Sequence, residues 1–283
     1  SPFYIPTGIC NMAAGQIAIH TGFRGMCSCP VTACTGGTNA VGDAFHYIRD
    51  GYADVMLCGG TESAVTPLAI GAFTSMTALT QNPDPKRASI PFDAERSGFV
   101  LGEGAAILLL EELEHAKARG ARILAEVVGY GATCDAYHIT APDPEGAWSA
   151  ACMEQALADA GLAPEAVDYI NAHGTSTPLN DSGETAAIRR VFGAHADRLM
   201  VSSTKSMTGH LLGASGAVEA ALCVLALKDG FVPATINYQV PDPACDLDIV
   251  PNGGREADIR CAISNSLGFG GHNACLVFQK WEG

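Results

Sequence analysis

Residues 31–51, VTACTGGTNAVGDAFHYIRDG, place one cysteine between a short β-like run and a helical pattern. Ala44 and Ile48 recur at helical spacing, and Gly51 is typical of a helix C-terminal cap. Unpaired N–H groups at a helix N-terminus stabilise an anion, so Cys34 is predicted to have a lowered pKa and to act as a nucleophile. The alternative is that Cys34 is a buried apolar filler. The stretch alone leaves both interpretations open.

The composition predicts a folded α/β protein. The chain has 283 residues, 48% of them hydrophobic, which is enough for a large core and excludes a disordered protein. It carries 32 glycines and 15 prolines, which indicate many tight turns between short elements. We therefore expect a layered sheet rather than a helical bundle.

The charge balance narrows the possible partners. A formal net charge of −14 argues against a nucleic-acid partner, since phosphate binding needs clustered Lys and Arg. The longest apolar run, in GAAILLLEEL, is far shorter than a membrane-spanning helix needs, so no membrane anchor is expected.

Eleven scattered cysteines with no framework spacing indicate reduced thiols, as in a cytoplasmic or organelle-matrix protein. Cys27 and Cys29 form the only close pair, and without a second pair or a nearby His they predict no metal site. The start, SPFYIPTGICNM, has neither an initiator methionine nor a signal peptide, so we expect it to lie in the middle of a longer protein.

Strand and helix patterns alternate along the chain. The first predicted elements are a small-residue helix over 8–21, a strand over MCSCPVTA, the helix of 35–50 and a strand over ADVMLCGG. Residues 66–97 are predicted to be loop-rich. The stretch FVLGEGAAILLLEEL is predicted to form two strands joined by a glycine turn. A helix over EELEHAKARG follows, and from Ile123 strands and helices alternate to the end, where DIRCAISNSLGFGGHNACLVFQK is strand-like.

A weak internal repeat in the sequence divides the chain into two similar halves. In one half a turn with Cys34 precedes an apolar helix, and in the other a turn with His210 does so. A pseudo-twofold pair of halves would bring the N-termini of both helices toward one site.

Two histidines support the nucleophile interpretation. His173, in NAHGTSTPLND, follows a strand, and His210, in STKSMTGHLLG, precedes a helix. Catalytic groups collect in loops at strand ends, although a lone histidine is more often structural. Lys205 is predicted to hold a carboxylate and a histidine in place, and its candidate partners are Asp181, Glu184 and Glu219.

The glycine turn GFGGH, over 268–272, offers the backbone N–H groups that acyl transfer requires for its oxyanion. Gly268 and Gly270 are therefore candidate site residues, although glycine turns also simply form hairpins.

The motifs TACTGG, NAHGTSTPLND, SSTKSMTGHLLGASGAVEA and NSLGFGGHN, in this order, resemble those of the β-ketoacyl-acyl-carrier-protein synthases. The similarity is greatest to the synthase II enzymes, which elongate chains in fatty acid synthesis, and it covers essentially the whole chain. It implies a thiolase-like layered αβαβα fold of two duplicated halves, 1–122 and 123–283, with the first half truncated at its N-terminus. It also implies a decarboxylating Claisen condensation without a cofactor or metal, on substrates carried by phosphopantetheine.

The resemblance also implies roles for single residues. Cys34 is the nucleophile, and the backbone N–H groups of Cys34 and Phe269 form the oxyanion hole. His173 and His210 bind the malonyl thioester carbonyl, and Lys205, supported by Glu219 and Asp181, orders this network. Phe269 also gates the cysteine. Contacts to the substrate are implied for the following residues: Thr175 and Thr177 to the phosphopantetheine arm, and Phe73 in the acyl pocket.

The implied partners are acyl-carrier protein and a second copy of the chain, paired through MCSCPVTA. Exposed cations for an acidic carrier protein are few, and the candidates are Arg24, Lys86, Arg87, Arg189 and Arg190.

Four alternatives remain. A degradative thiolase needs a second cysteine where this chain has His272, and a chain-length factor lacks the nucleophile that is present here. A polyketide ketosynthase shares the same site, and an inert fragment shares the sequence without the activity.

Overall fold

The computed structural model describes residues 1–283, and these form nine α-helices, five short 3₁₀ helices and nine strands. The helices are α1 Tyr4–Gly8, α2 Met12–Thr21, α3 Gly36–Arg49, α4 Pro67–Ser75, α5 Leu113–Ala118, α6 Ala147–Ala160, α7 Pro178–Phe192, α8 Lys205–Thr208 and α9 Ser215–Asp229. The strands are β1 Val55–Glu62, β2 Gly104–Glu111, β3 Ala125–Cys134, β4 Tyr169–Asn171, β5 Met200–Ser202, β6 Phe231–Val232, β7 Arg255–Glu256, β8 Cys261–Gly268 and β9 His272–Lys280.

Two sheets of unequal size lie in the two halves. β1 and β2 pair antiparallel, from Val55 opposite Glu111 to Glu62 opposite Gly104. The second sheet has the order β3-β9-β8-β4-β5, in which β3, β9 and β8 are antiparallel neighbours and β8, β4 and β5 are parallel. The first half thus presents two strands and the second five. A small antiparallel pair, β6 and β7, completes the set.

Burial explains the sequence patterns of these strands. Strand β8 is buried on both faces except at its last two residues, which fits its near-continuous run of small and apolar residues. Strand β2 instead alternates between partly buried and exposed positions, as a strand covered on one face does.

The helices α3 and α9 form a layer between the two sheets. A core of Val41, Ala44, Cys223, Leu276 and Phe278 fills that space. A second core lies on the opposite face of the large sheet, beneath the helices α6 and α7. The order of layers is therefore helices, large sheet, helices, small sheet, so the predicted layered α/β fold is confirmed.

Small residues let α3 and α9 meet at their N-terminal ends. A Cβ on Gly216 would lie 1.9 Å from Thr38 Oγ1, and one on Gly37 would lie 2.7 Å from the backbone nitrogen of Ala217. Thr38 also shares a 2.7 Å hydrogen bond with Ser266 of β8. Because both helices begin at this crossing, the turns that precede them face the same space.

Most of the predicted elements are confirmed, but three predictions were wrong. MCSCPVTA is not a strand, since no strand of the chain pairs with it and a strand needs a partner for its ladder. The loop-rich stretch contains α4, which Thr66 caps and Pro67 begins. FVLGEGAAILLLEEL forms one strand, because Phe99 and Leu101 make only isolated bridges.

None of the helices has the combination of length and apolar character that crossing a membrane requires. No group of three or more His, Cys, Asp or Glu side chains converges as a metal cluster. Cys27 and Cys29 are free and exposed.

Candidate active site

Cys34 lies in a 3₁₀ turn, Ala33–Thr35, directly before α3. Ala33 has φ of +52°, a left-handed conformation that is strained for a residue with a Cβ and that is typical of functional turns. Thr35 Oγ1 donates a 2.7 Å hydrogen bond to the carbonyl of Thr32, which stabilises the turn. The turn thereby places the thiol at the N-terminal end of α3.

His210 reaches the thiol from the second half. Its backbone N–H donates to the carbonyl of Val100 at 2.7 Å, and its carbonyl accepts from Gly102 at 2.9 Å, so an isolated parallel bridge fixes the residue. Its Nε2 lies 3.1 Å from Sγ of Cys34. The edge of its ring meets the Phe99 ring at a centroid distance of 5.2 Å. His210 precedes α9 by one 3₁₀ turn, Leu212–Ala214, rather than beginning the helix.

His173 follows the parallel strand β4 by two residues, as predicted for a strand-end loop. Glu184 of α7 accepts hydrogen bonds from the backbone N–H groups of His173 and Gly174, both at 2.8 Å, which fixes the loop. The rings of His173 and His210 meet edge to face at 5.2 Å. Cys34, His173 and His210 are therefore brought together.

Both imidazoles are neutral near pH 7. Burial and then the charge of Lys205 hold the pKa of His210 well below its usual range. Burial, the charge of Lys205 and His210 likewise hold the pKa of His173 well below its usual range. A neutral imidazole carries one N–H, so each ring offers one hydrogen-bond donor.

Lys205 and Glu219 form a buried ion pair behind the histidines. Burial raises the pKa of Glu219 to about 7, although the charge of Lys205 opposes that rise. The second carboxylate oxygen of Glu219 has no protein partner. Neither side chain lines the cavity at the cysteine, so the pair acts on the histidines through charge rather than through substrate contact.

Asp181 does not support Lys205, contrary to the expectation from the resemblance. It accepts hydrogen bonds from the backbone N–H of Phe92 at 2.8 Å and from Asn180, and Arg96 lies 3.7 Å away. Burial raises its pKa despite these donors. Its position at the start of α7 directs its carboxylate to the loop around Phe92 rather than to the histidines.

The expectation of a lowered pKa at Cys34 was wrong. Burial raises the pKa of the thiol to about 11, against the charge of Lys205 and the N–H of Phe269, which act to lower it. Loss of water around the thiol therefore has a larger effect on its pKa than the N-terminus of α3 and the charge of Lys205. Cys34 rests as a thiol near pH 7.

The glycine turn closes over the cysteine. Phe269 borders the same cavity as Cys34, and its backbone N–H acts to lower the pKa of the thiol, as a nearby oxyanion-hole donor would. Gly268 lies so close to the nucleophile turn that a Cβ would be 3.2 Å from the backbone nitrogen of Cys34. Gly270 has φ of +85° and donates to the carbonyl of Ile139 at 2.8 Å, which ties the turn to the loop after β3.

A cavity of about 630 Å³ opens onto these groups. Thr175 and Thr177 line one side, and their hydroxyl oxygens lie 3.0 Å apart. Phe73 and Phe99 line another side and pack edge to face at 5.4 Å. Of the predicted site residues, those that line the cavity are Cys34, His173, His210, Thr175, Thr177, Phe73, Gly268 and Phe269. A second cavity, of about 560 Å³, lies between α2 and β1 and contains none of the three catalytic candidates.

The candidate cations differ in availability. Arg87 is buried against Asp93, and Arg189 pairs with Asp197 and Asp246. The others, Arg24, Lys86 and Arg190, are exposed.

Two contacts of the catalytic candidates escaped the sequence analysis. Phe99 packs on His210, and Ser215 bonds to its Nδ1 at 2.9 Å. A serine at the first position of a helix, five residues after a histidine, was a usable signal for the second contact. No local pattern in the sequence marks the first.

Comparison with known proteins places the chain in one family. Residues 1–116 match the family model described as beta-ketoacyl synthase, N-terminal domain, and residues 124–239 match the beta-ketoacyl synthase, C-terminal domain. The whole chain is 57% identical to a protein of Synechocystis sp. named 3-oxoacyl-(acyl-carrier-protein) synthase 2 and spans 68% of its length. A protein of Staphylococcus aureus with the same name is 55% identical over 282 residues.

Solved structures agree. A ketosynthase of a type II polyketide synthase, in complex with its acyl-carrier protein and bound to a hexaketide, matches 96% of this chain and 67% of its own, with a TM-score of 0.94 at 42% identity. A beta-ketoacyl synthase from Burkholderia phymatum matches 96% of this chain and 66% of its own, with a TM-score of 0.91 at 40% identity. The chain belongs to the beta-ketoacyl synthase family.

Proposed function

We propose that the protein catalyses the decarboxylating Claisen condensation of an acyl-enzyme thioester with malonyl-acyl-carrier protein. The products are β-ketoacyl-acyl-carrier protein and carbon dioxide, and the reaction is the elongation step of fatty acid synthesis. The relatives named 3-oxoacyl-acyl-carrier-protein synthase 2 support this reaction. The observation that carries it is the approach of His210 Nε2 to within 3.1 Å of Cys34 Sγ, with His173 beside it.

Acyl transfer comes first. The sulfur of Cys34 attacks the carbonyl of the incoming acyl thioester, and the carrier thiol leaves with the proton that Cys34 gives up. The backbone N–H groups of Cys34 and Phe269 bind the oxyanion of the tetrahedral intermediate. Because the resting group is a thiol with a raised pKa, loss of its proton is part of the cost of this step.

Decarboxylation and condensation follow. The bond from the malonyl α-carbon to its carboxylate breaks, and its electron pair moves onto the thioester oxygen as carbon dioxide leaves. The N–H groups of His173 and His210 donate to that oxygen, and two donors held in a dry site favour the enolate without reorganising. The enolate carbon then attacks the acyl carbonyl carbon, the bond from that carbon to the sulfur of Cys34 breaks, and the released thiolate takes a proton from solvent to regenerate the thiol.

Burial is the main reason that both histidines are neutral, and Lys205 adds to it, since a nearby positive charge disfavours an imidazolium. Thr175, Thr177 and Phe73 line the cavity, which supports hydrogen bonds from the two threonines to the amides of the phosphopantetheine arm and a contact of Phe73 with the acyl chain. The proposed steps use only groups of the protein and of its substrates, and we propose no cofactor or metal.

We further propose acyl-carrier protein as the substrate-bearing partner and a homodimer as the assembly. The polyketide relative that binds its carrier protein supports the first, and the unpaired stretch MCSCPVTA supports the second. Reduced cysteines and an acidic composition favour the cytoplasm or an organelle matrix as the compartment.

A mass-spectrometric assay tests the proposed reaction. The enzyme is incubated with acyl-carrier proteins bearing chains of graded length, and the acylated residue is identified. Acylation at Cys34 alone, followed by formation of β-ketoacyl-carrier protein after malonyl-carrier protein is added, supports the proposal. Acylation spread over several of the eleven cysteines, or none in the wild type, contradicts it.

A polyketide-type ketosynthase is the second candidate, favoured by the structural similarity to such an enzyme. The same assay separates the two functions. A fatty acid enzyme accepts a fully reduced acyl chain and releases the product after one condensation. A polyketide enzyme repeats the condensation on its unreduced β-keto product.

A further inference from the structure

We propose that Ser215 is a positioning residue for His210. The hydroxyl of Ser215 donates a hydrogen bond to Nδ1 of His210. This bond keeps the imidazole proton on Nε2, the nitrogen that faces Cys34. The inference rests on the proposed function for its catalytic consequence. The hydrogen bonds that carry it stand without that function.

The local fold delivers Ser215 to the imidazole. The chain runs from His210 through the 3₁₀ turn Leu212–Ala214 and enters α9 at Ser215. The Ser215 side chain turns back over this turn, so its Oγ lies 2.8 Å from the backbone nitrogen of Leu211 and 2.9 Å from His210 Nδ1. Ser215 is 1% exposed, so bulk solvent does not compete for its hydroxyl.

Counting donors and acceptors fixes the direction of both bonds. The backbone N–H of Leu211 can only donate, so Oγ of Ser215 accepts from it. The hydroxyl hydrogen then has one acceptor within reach, and that acceptor is Nδ1 of His210. The opposite arrangement, with Nδ1 donating to Oγ, would leave a buried hydroxyl hydrogen without any acceptor, which costs free energy.

The tautomer of His210 follows. A neutral imidazole holds one proton, and a nitrogen that accepts a hydrogen bond does not carry it. Nδ1 therefore has the lone pair, and Nε2 has the N–H. In the other tautomer Nε2 would present a lone pair to the malonyl thioester oxygen, and the enolate would lose one of its two donors.

The ring of His173 has no equivalent of the Ser215 hydrogen bond, so this bond acts on the ring of His210 alone. Its Nδ1 is buried and has no protein partner. Glu184 fixes the backbone of His173 rather than its ring. The side-chain hydrogen bonds of Ser215 go to His210 and Leu211, and Ser215 does not line the cavity, so its effect on the reaction must pass through His210.

Nitrogen NMR tests the tautomer directly. The wild-type enzyme is labelled with ¹⁵N-histidine, and the His210 signals are assigned by their loss in His210→Gln. We expect an acceptor-type shift for Nδ1 and a protonated-type shift for Nε2 near pH 7. A protonated Nδ1 in the wild type overturns the proposal, and this result does not depend on how any Ser215 variant folds.

Kinetics test the consequence. For Ser215→Ala we expect malonyl-carrier protein decarboxylation to fall about tenfold in kcat with little change in KM, because one transition-state donor is partly lost. Acylation of Cys34 should stay within about twofold of the wild type, since it depends on the oxyanion hole instead. Ser215→Thr keeps the hydroxyl and should restore both the rate and the ¹⁵N shifts. Equal losses in acylation and decarboxylation, or no rescue by threonine, contradict the positioning role.

Ser149→Ala is the matched control. Ser149 also lies in the first turn of a long helix, and its hydroxyl donates only to the backbone carbonyl of Gly146. It should change neither the rates nor the spectrum. An enzyme that shows the expected spectrum but no condensation activity would refute the proposed function while leaving the Ser215 assignment in place.

Discussion

At the scale of single residues, the site sets a buried thiol against two neutral imidazoles. The exposed fraction of Cys34 is 8%, and burial outweighs the helix terminus and Lys205 in setting its pKa. A nucleophile that is protonated at rest is shielded from oxidation and alkylation, because the thiolate is the reactive form. The proposed acyl transfer therefore has to include loss of the proton from Cys34.

The pH dependence of Cys34 alkylation follows from this. The pKa is raised to about 11 from an ordinary value of 9.0, so the thiolate fraction should grow about tenfold per pH unit from pH 7 to pH 10. The rate of iodoacetamide labelling at Cys34, followed by peptide mass spectrometry, should rise in the same way and level off near pH 11. Exposed Cys134 serves as the internal reference. A plateau for Cys34 below pH 8 would show that the helix terminus prevails.

Replacing His173 should separate the two chemical steps, acylation of Cys34 and decarboxylation of the malonyl group. In His173→Ala one donor to the malonyl thioester oxygen is lost, and decarboxylation should fall about 100-fold, as when one oxyanion donor is removed. Acylation of Cys34 should persist, because the N–H groups of Cys34 and Phe269 are untouched. The readouts are carbon dioxide release and acyl-enzyme mass, and His20→Ala, on the exposed helix α2, is the control. Loss of acylation together with decarboxylation would place His173 in the first step instead.

At the scale of elements, sequence periodicity was enough to predict the helices and strands that bury a regular face. The patterns of α3, α6 and α9, and of β3, β8 and β9, are intrinsic to their residues, and all six elements are observed. The failures occur where a partner decides the outcome. MCSCPVTA has strand-like residues but no neighbour within the chain, and Phe99 pairs at a single bridge.

The candidate site could also be predicted in part, where local sequence patterns were enough to mark its residues. The motifs singled out Cys34, His173 and His210, which the structure brings together, and composition singled out the glycine turn, which lies beside Cys34. Two predictions were wrong: that the pKa of Cys34 is lowered, and that Asp181 supports Lys205. Both properties depend on burial and on long-range contacts, neither of which a local sequence pattern encodes.

The crossing of α3 and α9 should tolerate no added carbon. In Gly216→Ala the new Cβ would lie 1.9 Å from Thr38 Oγ1, so the helices must separate or the Thr38–Ser266 bond must break. Overpacking of this kind costs about 2 kcal/mol of the free energy of unfolding. Urea denaturation measures the change.

Gly183→Ala is the control for that substitution. Gly183 lies within α7 and has open space around its Cα, so alanine there should stabilise the protein by about 0.5 kcal/mol. If Gly216→Ala proves as stable as the wild type, the two helices do not meet as closely as described, and the shared position of Cys34 and His210 loses its structural basis.

At the scale of the whole molecule, a further segment joins the halves, in addition to the crossing of α3 and α9. Residues 85–96 belong to the first half but bond throughout the second. Ser89 Oγ donates to the carbonyl of Lys205 at 2.8 Å, the N–H of Ile90 donates to Ser176 Oγ at 3.0 Å, and that of Phe92 to Asp181. The segment therefore bonds both to the start of α8, at Lys205, and to the loop between His173 and α7.

Asp93 is the anchor of this segment. It is fully buried, and it accepts from the Arg87 guanidinium through both oxygens at 2.9 Å and from the backbone N–H groups of Gln239 and Val240. Burial alone would raise the pKa of Asp93, but Arg87 and the backbone donors lower it to about 2. Because the folded pKa lies below the ordinary 3.8, the stabilisation is present above pH 4 and is lost as the pH falls toward 2.

Asp93→Asn should therefore destabilise the protein in a pH-dependent way. At pH 7 it leaves Arg87 buried with only the more exposed Glu95 as a charge partner, which should cost about 3 kcal/mol of unfolding free energy. The deficit should stay constant from pH 7 to pH 5 and shrink below pH 4, where protonation begins to remove the same charge from the wild type. Urea denaturation at each pH gives both curves. Asp246→Asn, which breaks a more exposed pair with Arg189, should cost less than about 1 kcal/mol throughout. A deficit that already disappears between pH 7 and pH 5 would mean that Asp93 is not held ionised, and that the halves are joined chiefly by the packing of α3 on α9.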